Sequence, residues 1–407
     1  MLAPTYSIQY TIYTALLFNH FNLHYTLSRE LTELYASVAL RNFTLGLISI
    51  FEPIYLYLYF SQDISKTLLY FSSISLISGL LSPFAGKIVT KIGVKHSMLV
   101  SVPFLFLYYF GLWKIEFLEN LFFILIPILI SHNLFYWTAF HIDFARFSEK
   151  GKRGKQLSYL HTVSAVAAAL SPFVGGIVLI KAGYPVLFGI VLILLFFSIV
   201  PLFLSREVHE RYTDSYEKAF GEVFHKKYRT KAISFLAEGS EYSILVFIWP
   251  VFLYMLAISY SYIGLISSIS LFAGLLFALY LGKLIDRMGH ARILVIGSWM
   301  NALTWPVRMF VVTPLDVILI NTLNSITRVT AHMPFGVLFY DWAGREDVNR
   351  DRFVIFREMT HNVGRGIILA IFAVIFLYID NIAIAFPIAG VFSLMLMFFV
   401  RGVGNAK

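Results

Sequence analysis

One loop sequence occurs twice in this chain, inside a polymer too apolar to fold in water. Gly86-Lys-Ile-Val-Thr90-Lys91-Ile-Gly93-Val-Lys95 returns as Gly282-Lys-Leu-Ile-Asp286-Arg287-Met-Gly289-His-Ala-Arg292, 196 positions from glycine to glycine. Upstream, Ser72 to Leu76 with Gly79 matches Ser267 to Leu271 with Gly274, and Pro53-Ile-Tyr-Leu-Tyr57 matches Pro250-Val-Phe-Leu-Tyr254. A repeat of that period is a whole structural unit, so the chain is a duplication. Hydrophobic residues make up 58% of it and charged residues 14%, against about 25% charged in soluble domains, and the mean hydropathy is +0.76. A bilayer must cover that surface. Duplicated membrane bundles are a common way to build a site that two halves open alternately to either side.

Twelve apolar stretches are each long enough for a hydrocarbon core of about 30 Å at about 1.5 Å per residue. They fall near 34–60, 66–86, 96–114, 117–145, 156–181, 184–205, 231–257, 260–282, 292–312, 315–342, 353–379 and 381–400. A membrane barrel alternates apolar and polar residues in short strands; these stretches are uniformly apolar and read as helices. The expected fold is all-α, twelve transmembrane helices in two pseudo-symmetric six-helix bundles.

The formal charge of +9 would suggest nucleic acid as the partner of a soluble protein. Here the charges sort by side. Lys87, Lys91, Lys95, Arg146, Lys150, Lys152, Arg153, Lys155 and the stretch from Arg206 to Lys231 lie in alternate loops, with Lys66, Lys114 and Lys181 opposite. The positive-inside rule then puts both termini in the cytoplasm of a multi-pass plasma-membrane protein, with membrane lipids and a small-molecule solute as partners, no nucleic acid, and a monomeric state expected. The organisation follows as 1–33, a cytoplasmic or interfacial segment without signal-peptide features; 34–205, the first bundle; 206–230, a mixed-charge linker; 231–400, the second bundle; and 401–407, a tail. With no cysteine, disulfides and thiolate metal sites are excluded.

The repeated loop resembles the signature between helices 2 and 3 of the major facilitator superfamily of secondary transporters: glycine, three residues, aspartate, a basic residue, any residue, glycine, then basic residues. The second copy has every element in Gly282, Asp286, Arg287, Gly289 and Arg292; the first has Thr90 in place of the acid and retains Gly86, Lys91, Gly93 and Lys95. The resemblance implies a loop that latches the cytoplasmic side, with the second copy carrying more of that role. It also implies that helices 1, 4, 7 and 10 line a central cavity. In helix 5, Pro172, Gly175 and Gly176 resemble part of a motif of proton-driven exporters, and read equally as a kink and a packing surface.

Ionisable residues at membrane depth cost about 2.5 to 3.5 kcal/mol each on insertion scales and so mark candidate sites. They fall on helix 1 (Arg41, Glu52), helix 4 (His132), helix 7 (Glu238, Glu241), helix 10 (Arg328, His332) and helix 11 (Arg357, Glu358, His361, Arg365), with Arg308 on helix 9 the exception. Arg357, His361 and Arg365 are four apart and form one stripe. Glu238 and Glu241, three apart, are expected to share a face of helix 7. The functional reading makes Arg328 and Arg365 anchors for an anionic or zwitterionic solute, because a guanidinium binds carboxylate or phosphate in two places, with Glu238 or Glu241 exchanging a proton. Arg41, His132, His332 and His361 complete the candidate set. The structural reading makes the arginines and glutamates interhelical bridges that break as the halves rock. Arg357 and Glu358, nearer the cytoplasmic end, read as gate residues, as do Asp143 and Asp341.

No His-Glu-x-x-His pattern, nucleophile motif or phosphate loop is present, so neither an enzyme nor a metal site is expected, and no cofactor beyond an ion gradient, with H+ favoured. The expected function is secondary active transport of a small organic solute by alternating access, proton-coupled, the balance leaning to export by antiport. The alternatives are a lipid or lysolipid translocase, for which Trp137, Trp249 and Trp305 would line an apolar cavity, and a non-transporting sensor or scaffold.

Overall fold

The computed structural model describes residues 29–118, 120–147, 153–199, 228–345 and 348–400. Most of 1–33, most of the 206–230 linker and the tail 401–407 lie outside the described residues, as do the side chains of Thr90, Lys95, Asp143 and Asp286. Among the described residues, twelve helical rods follow one another: α1 (Arg29–Ser49, resumed as Glu52–Tyr59), α2 (Ile64–Ile92), α3 (Val94–Lys114), α4 (Leu121–Phe147), α5 and α6 (two limbs of Arg153–Ile199, bent at Gly183), α7 (Arg229–Ser243, a π turn Ile244–Ile248, then Trp249–Met255), α8 (Tyr260–Met288), α9 (His290–Val307), α10 (Pro314–Ala343), α11 (Arg350–Ile375) and α12 (Ala385–Met395). Each sits on one of the twelve apolar stretches. Eight spans among the described residues are long and apolar enough to cross a membrane by length and composition.

The duplication is visible in the backbone. Gly93 and Gly289 end α2 and α8 with φ of 104° and 81°, a conformation that only glycine adopts without strain, so the repeated loop owes its glycine to a sharp corner. The repeated prolines deform their helices in parallel. A proline removes one helical hydrogen bond: before Pro53, α1 is interrupted at residues 50–51, and before Pro250, α7 loosens into its π turn. Tyr57 and Tyr254, four residues after each proline, then meet edge to face at 6.3 Å.

Among the described residues, the two halves pack most extensively along two helix pairs. α2 lies on α11, where Ser72 donates to the Gly366 carbonyl (2.7 Å) and a side chain at Gly79 would press on the backbone of Val363. α5 lies on α8, where a Cβ at Gly176 would run into the Tyr260 carbonyl and the Phe173 N–H donates to Ser268 (3.1 Å). Gly175 faces Leu47 of α1 just as closely, so adjacent glycines let α5 wedge between α1 and α8. Away from the repeated loops the halves close on aromatic rings: Phe71 stacks on Phe247 at 4.1 Å and Phe51 meets Tyr260 at 6.0 Å.

Burial shows where the polar interior lies. The α7 span is 89% buried, whereas the span Ala165–Ser198 is 28% buried and turns Ile193, Phe196 and Phe197 outward, as a lipid-facing helix does. α7 is therefore the central helix of the second half, and its two glutamates are almost wholly withdrawn from solvent.

Candidate functional site

A polar cavity lies between the halves, walled by α2, α4, α7 and α11. Glycines bring the chemistry together. A Cβ at Gly239 would collide with the His361 carbonyl and one at Gly364 with the Leu236 backbone, and Ser240 donates to the Gly364 carbonyl (3.1 Å). α7 and α11 thus cross at backbone contact, which sets Glu238 against the helix-11 stripe.

Arg357 is the hub. Its Nη2 donates to both oxygens of Glu238 (3.1 and 3.2 Å) and its Nη1 to Glu358 (2.8 Å). Nη1 also lies 3.4 Å from His141 Nε2, whose Nδ1 is 3.2 Å from the Tyr340 hydroxyl. A guanidinium only donates, so a neutral His141 accepts at Nε2 and donates from Nδ1 to Tyr340. His361 Nδ1 lies 3.3 Å from Glu238. Arg365, four residues on, has no carboxylate within 4.0 Å among the described residues; it meets Asn362 at 3.5 Å, lies over the rings of Tyr242 and Phe247, and leaves its Nε unpartnered. Ser78 Oγ and Asn133 Oδ1, also unpartnered, line the same cavity. Its free volume is about 50 Å³, room for a few water-sized molecules against about 300 Å³ or more for an organic ligand.

Glu241 belongs elsewhere. Asn301 (2.7 Å) and the Trp305 indole (3.2 Å) donate to one oxygen, His332 Nε2 lies 3.1 Å from the other, and Arg328 stands at 4.0 Å. The network continues through Asn324 to Arg308, which donates to Asn324 (2.7 Å) and lies over Trp249 at 4.0 Å. This is the inside of the second half, between α7, α9 and α10. The expectation of one shared face for the two glutamates is therefore corrected: residues three apart diverge by about 60° around a helix, enough here to send Glu238 to α11 and Glu241 to α9 and α10. Arg328 and His332 go with Glu241, away from the cavity walls.

In the first half, Arg41 lies over Tyr136 at 3.6 Å with its Nη2 3.5 Å from His132, whose Nδ1 donates to the Ser101 carbonyl (2.8 Å). No carboxylate approaches Arg41 within 4.0 Å among the described residues. The expected bridges between halves are absent from the cavity cluster: its carboxylate–guanidinium pairs, Arg357 with Glu238 and Glu358, are made within the second half. Arg357 and Glu358, expected at a gate, line the cavity itself. Of the loop residues, Lys91, Arg287 and Arg292 are exposed, Gly86 packs on Ile355, Gly282 is buried, and Asp341 lies exposed in the last turn of α10. Sequence reasoning missed Tyr340, Asn301 and the glycine pair; only the small-residue spacing of Gly239 and Gly364 hinted at a close crossing.

The Major Facilitator Superfamily model matches residues 34–255, more than half of the chain. The chain belongs to the major facilitator superfamily. Membership places it among transporters rather than enzymes, as a multi-pass membrane protein. No curated protein matches it by sequence. Among solved structures, the nucleoside transporter NupG aligns at a TM-score of 0.71 with 15% identity, covering 93% of this chain and all (100%) of that one. The E. coli fucose:proton symporter FucP aligns at 0.62 with 13% identity, covering 91% and 97%. At such identities the likeness is one of fold.

Proposed function

We propose that this protein carries a small polar organic solute across the membrane by alternating access, with proton binding at the Glu238–Arg357–His361 cluster coupled to the cycle. The observation that carries this reading is the cavity whose walls come from both halves and whose buried groups can exchange protons and hydrogen bonds with a solute. Its charges balance, Glu238 and Glu358 against Arg357 and Arg365, which favours a solute neutral or zwitterionic overall. Arg365, with an unpartnered Nε and no carboxylate within 4.0 Å among the described residues, is a cation placed to meet a carboxylate or hydroxyl. The small free volume supports a cycle in which the halves part to admit the solute. Trp249 and Trp305 pack around Arg308, away from the cavity, so of the three tryptophans Trp137 alone lines it, which weighs against these three forming an aromatic chamber for a lipid. The helix-5 glycines are engaged on α1 and α8, so the proposal carries no direction of transport. The basic loops favour a plasma-membrane protein with both termini in the cytoplasm.

The test is a thermal-shift screen of the purified protein against sugars, amino acids, organic anions and lipophilic cations at two pH values. Solute-driven proton flux in proteoliposomes follows with any class that raises Tm. Flux abolished in folded Glu238→Gln and Arg365→Gln variants is the expected result; unchanged flux in both refutes the site.

A further inference from the structure

Glu52 has no part in the cavity cluster, yet it is fully buried, with 0% of its surface exposed. It is the first residue of the outer segment of α1, directly after the interruption. Tyr108 of α3 donates to its Oε1 at 2.8 Å and Tyr109 lies 3.5 Å from its Oε2. Tyr70 of α2 donates in turn to Tyr108 at 3.4 Å. No cation stands within 4.0 Å of it among the described residues.

The groups around it are accounted for. On its own helix, Arg41 is committed to Tyr136 and His132, and Tyr55 donates to the Leu112 carbonyl (3.0 Å). From α6, Tyr184 donates to the Phe51 carbonyl (3.1 Å). α3 presents Tyr108 and Tyr109, and α2 presents Tyr70. Among the described residues, every titratable group facing the carboxyl from a neighbouring helix is thus a tyrosine, neutral through the physiological range.

We infer that Glu52, held by Tyr108 and Tyr109, is a proton-binding site separate from the central cavity, seated at the hinge of α1. Two opposed effects meet there. Desolvation without a counter-ion weighs against the carboxylate; two phenol donors and the N-terminal end of a helical segment weigh for it. The hydrogen bonds serve either state. The ionised carboxylate accepts from Tyr108 and Tyr109. The acid keeps the bond from Tyr108, and its Oε2–H donates to the Tyr109 oxygen after one phenol rotates, because a phenol both donates and accepts. The Tyr70–Tyr108–Glu52 row keeps its direction in both states, so only the Tyr109 phenol need turn. An aspartate would fall short of both rings, and a glutamine fixes the neutral shape.

The experiment is pH-difference infrared spectroscopy on the full-length detergent-purified protein, from about pH 4 to about pH 10, spanning carboxyl and phenol titration. The wild type is expected to show a carboxylic-acid carbonyl band that appears on acidification and is lost in Glu52→Gln. Tyr108→Phe moves the band to higher wavenumber and shifts its midpoint; Tyr109→Phe, which removes the longer contact, shifts it less. A carboxyl band set identical in Glu52→Gln and wild type overturns the proposal, and so does a Glu52 band constant across the whole pH range. The phenylalanine variants keep the carboxyl and serve if the glutamine variant does not fold. No solute enters the measurement, so its outcome is independent of the cavity assignment.

Discussion

Replacing Arg357 with glutamine removes the guanidinium that holds two buried carboxylates at once. Glu238 and Glu358 are 2% and 6% exposed. Without Arg357, Glu238 keeps His361 at 3.3 Å, whereas Glu358 is left, among the described residues, facing the acceptor nitrogen of His141 at 3.5 Å. Breaking a buried pair in this way costs about 3–5 kcal/mol, because it strands charge rather than merely deleting a bond. Glu238→Gln is milder: Arg357 retains its 2.8 Å bond to Glu358, and the loss is that of charge-assisted hydrogen bonds, about 1.5–3 kcal/mol. The double variant removes the stranded charge on Glu238, so its cost falls below the sum by about 0.5–3 kcal/mol. Equilibrium unfolding in mixed micelles, read by tryptophan fluorescence, measures all three. Equal costs for the single variants, or additivity within about 0.5 kcal/mol, would refute the view of Arg357 as the hub.

Glycine substitutions separate packing from conformation. Gly175→Ala drives a Cβ into the Leu47 backbone and is expected to cost about 1–3 kcal/mol, whereas Gly189→Ala meets nothing within 4 Å and is expected to gain about 0.5–1 kcal/mol; the same unfolding assay ranks them. Gly93→Ala and Gly289→Ala each place a side chain at positive φ and are expected to cost about 1–3 kcal/mol, one losing about as much as the other if the two corners are equivalent. At the far end of α2, Asp63 caps the helix by accepting from the Lys66 N–H (3.0 Å) and pairs with its ammonium (3.2 Å). Partial burial pushes its carboxyl up, but those bonds hold it below the ordinary aspartate range. Its contribution, about 1 kcal/mol as a cap, is therefore present above the unfolded value near 3.9 and lost as pH falls through the folded one. Asp63→Ala should lower Tm at neutral pH and converge with the wild type in acid; a constant gap would refute the assignment.

How much of this was legible depended on whether one helix or two decided the question. Spans, the duplication and the break at Gly183 are local, and hydropathy with glycine and proline spacing located them. Ends were less exact: α2 runs on to Ile92 because Gly93, not the first charge at Lys87, stops it. The choice of partners was not local. Whether Glu238 meets α11 or α10 depends on how closely α7 and α11 cross, which Gly239 and Gly364 set. Depth counted along straight helices sent Arg357 to a gate, whereas its long side chain reaches the cavity. Glu52 was visible as a charge, but the tyrosines that receive it come from another helix.

Among the described residues, His141 is what the first half contributes to the arginine cluster. A neutral imidazole resting on a guanidinium and a phenol is a soft latch: pulling the halves apart there breaks one or two hydrogen bonds of about 1 kcal/mol each, while Arg357 stays with Glu238 and Glu358 in the half that carries all three. Had the acid been on α4, each opening would have torn a buried ion pair at about 3–5 kcal/mol. The difference corresponds to about two orders of magnitude in rate, so the placement of one ion pair sets how often the door can swing.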